Sequence, residues 1–223
     1  MKTNVKLGLA LLLIGAGSGG LMAAAQQDAP APSAPEAKVS QAFNELPHHD
    51  LKAKIGRISP DARHEVTEVF MYTCPHCHNM NPQITAWAGT LEADIAFESM
   101  PIVFRDKDED YIRLHYGLLA LGMDLDIIQE GIFNAVHNDQ FRPRARKDFV
   151  SLGIKISRRT GEAIEKSMDS FAVSAKVKRS KVTFAKSGAM GVPAFIIDGE
   201  YRIDPNDARA MEDITGSLTS AVK

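Results

Sequence analysis

Cysteine is nearly absent from this sequence: 223 residues hold two, Cys74 and Cys77. A framework of structural disulfides is therefore excluded in any compartment. No charge sign dominates either. The 26 Lys and Arg face 28 Asp and Glu, a formal charge of −2, which leaves no electrostatic footprint for nucleic acid. Two basic clusters do occur, Arg142, Arg144, Arg146 and Lys147, then Lys176, Lys178, Arg179, Lys181 and Lys186. Neither is interleaved with the aromatics on which a single strand would stack, so both read as solvated helix faces. Long apolar runs are missing as well. The only candidate, Leu7 to Ile14, is short and followed by Gly15, Gly17, Gly19 and Gly20, a poor fit to a bilayer span.

That short run has another use. Lys2 and Lys6 precede it and Ala23-Ala24-Ala25 follows, so residues 1–25 have the form of a secretory signal. A retained N-terminal anchor is the alternative. Without Lys2 and Lys6 the 26 basic residues become 24 against 28 acids, a formal charge of −4. Residues 26–42 are rich in Ala and Pro and offer nothing to bury, the mark of a solvated tether. The single domain is expected over 43–223, enough chain for one full core. His48 and His49 have no metal-ligand spacing and read as solvent-facing loop residues.

What is present is concentrated in Thr73-Cys74-Pro75-His76-Cys77-His78. Upstream, Glu65 to Tyr72 alternates and is rich in β-branched and aromatic residues, which predicts a strand. Downstream, Met80, Ile84, Trp87 and Leu91 recur at helical spacing. Cys74 thus falls near a helix N-cap, with Pro75 in the first turn, where a missing N–H costs nothing. Unpaired amides and the positive dipole end favour a thiolate there. Four chemistries fit the pair. A structural disulfide would close too short a loop to stabilise much. Structural zinc would need four ligands, and only Cys74, Cys77, His76 and His78 are local. Cys74-x-x-Cys77-His78 also matches the c-type haem attachment pattern. A redox-active dithiol is the fourth reading and the leading one.

Ile95 to Phe104 predicts a second strand that ends or bends near Pro101. From Asp106 to about residue 187 the pattern turns helical. Tyr111, Leu114, Leu118, Leu121 and Leu125 form one stripe. Ile164, Met168 and Phe171 form another, and Val173, Val177 and Phe184 a third. Such stripes read as core faces. Gly122, Arg142-Pro143, Gly153 and Gly161 punctuate the block. His115 and His137 are expected at the surface or partly buried. Gly191 to Ile203 predicts two strands joined at Asp198-Gly199, a strong hairpin signal, and Asn206 to Val222 a last helix.

The chain resembles the thioredoxin fold, and within it the DsbA family of secreted thiol:disulfide oxidoreductases. Four features carry the resemblance: CPHC after an apolar strand; Pro82, eight residues past Cys74; the helical block between two halves of an α/β unit; and Gly191-Val192-Pro193 opening the late hairpin. It implies an α/β, thioredoxin-like fold with an inserted all-helical subdomain at about 106–187. It implies that Cys74 exchanges and Cys77 resolves, with Pro75, His76 and Glu68 tuning their pKa. An ordinary solvent-facing strand glutamate is the alternative for Glu68. Asn81 stands where some members have a second acid, and no lysine is evident to pair with Glu68. Val192 and a cis Pro193 would face the dithiol and bind substrate as a short strand. The implied activity is the introduction of disulfides into exported proteins in the periplasm, by a monomer recharged by a DsbB-like, quinone-linked membrane oxidase. No metal and no cofactor beyond the Cys74–Cys77 disulfide are expected. A reductase or isomerase of the same fold, or a c-type haem electron carrier, are the alternatives.

Overall fold

The computed structural model describes residues 48–204 and 211–222, leaving out the side chains of Lys107 and 211–214. The proposed signal, the tether and the first residues of the expected domain lie outside the described residues, as does the expected helix start at Asn206. Five strands form one sheet in the order β1-β5-β4-β2-β3. They are β1 (His49–Asp50), β2 (His64–Phe70), β3 (Ile95–Pro101), β4 (Ala194–Ile197) and β5 (Tyr201–Ile203). β2 and β3 run parallel, with Glu68 opposite Ser99, and are joined across α1 (Pro75–Ala88). β4 lies antiparallel to both β2 and β5, and β1 adds an antiparallel edge by pairing His49 with Arg202. His49 is thus exposed, as expected, but on a strand and not in a loop.

The expected alternation of β2 is not what the fold uses. All seven of its residues are buried, because both faces of this central strand are covered. Val66 packs with Ile84, Trp87, Phe195, Leu218 and Val222. Val69, of opposite parity, packs with Met100, Ile102, Ala194 and Ile196. The Trp87 indole donates to Thr219 Oγ1 at 3.0 Å, tying α1 to the final helix α7 (Met211–Ala221). The late hairpin turns where the sequence predicts: Asp198 and Gly199 both have positive φ, 51° and 68°. Gly199 is also required by space, since a Cβ there would stand 1.9 Å from the Ile55 carbonyl oxygen.

The helical insertion consists of α2 (Glu109–Ala120), α3 (Leu125–His137), α4 (Arg146–Ser157), α5 (Gly161–Met168) and α6 (Phe171–Ser187). α2 is its hub and packs against the other four. Gly153 does not punctuate anything: it lies inside α4, where a Cβ would meet Ile164 and Leu114 side chains at 3.0 Å. The stripe ending at Phe171 fails too, for Phe171 is 90% exposed. Ser170 caps α6 by accepting from the Val173 N–H, so a new helix direction begins there and the α5 stripe does not carry across. Among the described residues no helix is long and apolar enough to cross a membrane.

Candidate active site: a dithiol at a helix N-terminus

β2 stops at Phe70, and three residues turn the chain into α1. Cys74 is the N-cap, extended at φ −90° and ψ 118°, with Pro75 in the first turn. Its N–H donates to the Met71 carbonyl at 3.1 Å, and its carbonyl accepts the first helical bond, from His78 N–H at 3.1 Å. The Cys74 sulfur therefore sits in the place an N-cap oxygen usually takes, accepting from Cys77 N–H at 3.5 Å. On its other side it contacts the Val192 carbonyl at 3.5 Å. The Val192–Pro193 peptide is cis, as the resemblance implies.

Both cysteines are thiols in this structure, one half-buried and one buried. Their acidities diverge. The Cys77 thiol holds the Cys74 sulfur in a hydrogen bond that favours the Cys74 thiolate; burial opposes it, and the amides of Cys77 and His76 and the His76 charge assist. The result is a Cys74 pKa of about 6. Burial drives Cys77 strongly the other way, helped by the bond to Cys74. Three residues along one helix turn separate an acidic sulfur from an inert one.

Glu68 is buried, not solvent-facing. Its Oε2 accepts from Ser99 Oγ at 2.6 Å, and Ser99 Oγ in turn accepts from Gln129 Nε2 at 2.7 Å. Burial raises the Glu68 carboxyl to about 7 against the opposing Ser99 bond. The strand register puts a serine where no lysine could be found. Gln129 arrives from α3, and neither partner was visible in the sequence, because both contacts are long-range.

Two histidines brace the motif. His115, expected near the surface, is fully buried. Its Nδ1 lies 2.7 Å from the Tyr72 hydroxyl, and burial lowers its pKa to about 3. A signal existed: His115 is four residues after Tyr111 and three before Leu118, on the apolar stripe itself. His137 is half-buried and donates from Nε2 to the Tyr72 carbonyl at 2.8 Å. It also stacks on His78 with centroids 4.5 Å apart and planes 6° from parallel. Cys77 is only 1% exposed, and His78 stacks on His137 and Phe133, so a porphyrin bonded to both residues would have to displace the packing around Cys77. Among the described residues no three His, Cys, Asp or Glu side chains are placed to hold a metal ion.

Comparison with known proteins agrees with this geometry. The family model described as DSBA-like thioredoxin domain matches residues 65–216. The thiol:disulfide interchange protein DsbA of Azotobacter vinelandii is 31% identical over 179 residues, covering 79% of this chain and 78% of that one. Its namesake from Burkholderia cepacia is 32% identical over 153 residues, 66% and 68% of the two chains. Among solved structures, Pseudomonas aeruginosa DsbA superposes with a TM-score of 0.71 at 23% identity, covering 78% of this chain and 90% of that one. That last likeness shows the fold.

Proposed function

Because this chain belongs to the DSBA-like thioredoxin family and is a thiol:disulfide oxidoreductase, we propose that Cys74 is its exchanging sulfur, Cys77 its resolving one, and oxidation of client dithiols its working direction. The divergence of the two sulfurs carries the reading. A client thiolate attacks Cys74 of the Cys74–Cys77 disulfide; the S–S bond breaks and Cys77 departs with the electron pair. Burial disfavours a Cys77 thiolate, so it takes a proton. Glu68, poised near neutrality, is the group to supply it. A second client thiolate then attacks the client sulfur of the mixed disulfide, and Cys74 leaves as a thiolate. A leaving thiol of low pKa departs faster, and stabilising the reduced product makes the disulfide the better oxidant. Pro75 and His76 hold the helix start at which that thiolate is favoured.

Val192 and Pro193 form the edge beside Cys74 on which an extended client strand pairs through its backbone, a mode that reads no side chains. Exported proteins are the clients and the periplasm is the place of work. The enzyme acts as a monomer without a further cofactor and is returned to the disulfide by a DsbB-like, quinone-linked membrane oxidase. Cysteine replacements test the assignment. Cys77→Ala is expected to accumulate mixed disulfides with secreted proteins on non-reducing gels, and Cys74→Ala none. Capture by Cys74→Ala alone would reverse the two roles, and capture by neither would remove the exchange site. Thiolate absorbance of the reduced protein should fall through a midpoint near 6. A single midpoint near the ordinary thiol value of about 8.5 would count against oxidation as the direction.

A further inference from the structure

A cleft of about 470 Å³ opens beside the motif, and Thr73 and Pro75, the two neighbours of Cys74, are part of its lining. Tyr111 and Phe141 contribute aromatic wall, and two arginines, Arg105 and Arg142, reach it. Their situations differ. Arg105 Nε is held by Asp108, also of the lining, at 2.7 Å. Arg142 Nη1 donates to the carbonyls of Val136 at 3.2 Å and Phe141 at 3.0 Å. Those bonds fix the guanidinium without neutralising it, and no described carboxylate lies within ion-pair distance of Arg142. The basic cluster seen in the sequence thus divides. Arg146 is consumed by Asp110 and Asp169, while Arg142 presents an uncompensated charge at a half-apolar cleft that begins at the reactive sulfur's own neighbours.

We propose that this cleft seats the client segment flanking the reacting cysteine, and that Arg142 favours clients with an aspartate or glutamate there. The proposal rests on Cys74 as the exchanging sulfur. A client joined to Cys74 must run its chain over the residues beside it. An extended chain advances roughly 3.3 Å per residue, so a carboxylate a few residues from the client cysteine falls within the cleft's span. Arginine is the side chain suited to it, because its fork meets a carboxylate with two parallel donors. Backbone pairing at Val192 would then supply breadth, and Arg142 a bias within it.

The test uses the oxidised protein and reduced dithiol peptides that differ only in Asp, Asn or Lys near the cysteines. The quantity read is kcat/KM for Asp over Asn. An exposed ion pair is worth at most about 1 kcal/mol, or about fivefold, so the expected wild-type preference is about three- to fivefold at low salt. It should shrink toward unity at high salt. Arg142→Ala should remove the preference, Arg142→Glu turn it toward Lys, and Arg142→Lys retain part of it. Arg144→Glu, an exposed charge outside this cleft, should leave the ratio unchanged. Comparing variants cancels the acid's own effect on the peptide thiol, and the wild-type salt dependence needs no variant. Exchange with equal rates for Asp and Asn, or a preference that survives Arg142→Glu, would overturn the proposal alone. No exchange with any peptide would sink the assignment of Cys74 first.

Discussion

The sheet half buries an acid near Tyr72 and the helical insertion a base: Glu68 on β2 and His115 on α2. Burial dominates both, and it moves them in opposite directions. The insertion's base, at about 3, stays neutral through any working pH. The sheet's acid, at about 7, changes charge within it. Burial alone therefore does not mark a catalytic group; what matters is where it leaves the midpoint. His115 braces the shell around the motif, while Glu68 has the midpoint that the proposed proton transfer to Cys77 requires. The two also give the fold opposing pH slopes, which separate variants can expose.

The largest effect belongs to His115. An unfolded chain binds a proton there below pH 6.5, the folded chain only near 3. Its contribution is present above 6.5 and drains away as pH falls, by about 5 kcal/mol at pH 3 and below. His115→Gln should flatten that acid loss, read from urea midpoints at pH 7 and pH 3. An unchanged acid profile would mean that the histidine is not held neutral, and the contrast with Glu68 would break. Glu68 runs the other way and is smaller. The unfolded carboxyl ionises above 4.5, the folded one only near 7, so stability is fully present below 4.5 and is lost as pH rises through 7. That loss is about 3 kcal/mol. The stability difference between wild type and Glu68→Gln, in which the His115 contribution cancels, should turn against the wild type between pH 5 and pH 8, and the exchange rate should lose the part of its pH dependence that Glu68 adds near 7. If both slopes survive, the acid is not the group titrating there.

The contrast also explains what could be read from sequence. CPHC, the Asp198-Gly199 turn and the helical block are local patterns, and each fixes its own structure within a few residues. Those patterns sufficed for the α/β fold, the insertion and the placing of Cys74 at a helix start. The insertion's service to the site travels through contacts far apart in the chain: Tyr72 with His115 and His137, Ser99 with Gln129. Periodicity does not encode which strand position faces Glu68; that depends on the β2–β3 register. The misreadings have the same origin. Phe171 continues a helical count only if Ser170 is not a cap, and Gly153 looks like a break only until Ile164 and Leu114 are packed against it.

The smallest expected effect asks whether the insertion touches the chemistry at all. Gln129 donates to Ser99, so the Ser99 hydroxyl is left to donate to Glu68. That bond favours the carboxylate and holds the Glu68 midpoint below the value burial alone would set. A hydrogen bond to a charged group contributes about 1.5–3 kcal/mol, which corresponds to roughly one to two pH units. Ser99→Ala should therefore raise the midpoint by about one unit or more, and Ser99→Thr should preserve it. Gln129→Leu leaves the hydroxyl in place but frees its rotation, so the expected rise is smaller, about half a unit or less if the bond's polarisation is worth a fraction of its strength. Carboxyl NMR of labelled Glu68 in the reduced protein measures all three. A midpoint unmoved by Gln129→Leu but raised by Ser99→Ala would confine the chemistry to the sheet half. If neither substitution moves it, the chain from α3 to Glu68 is scaffolding, and burial is all that holds the acid near neutrality.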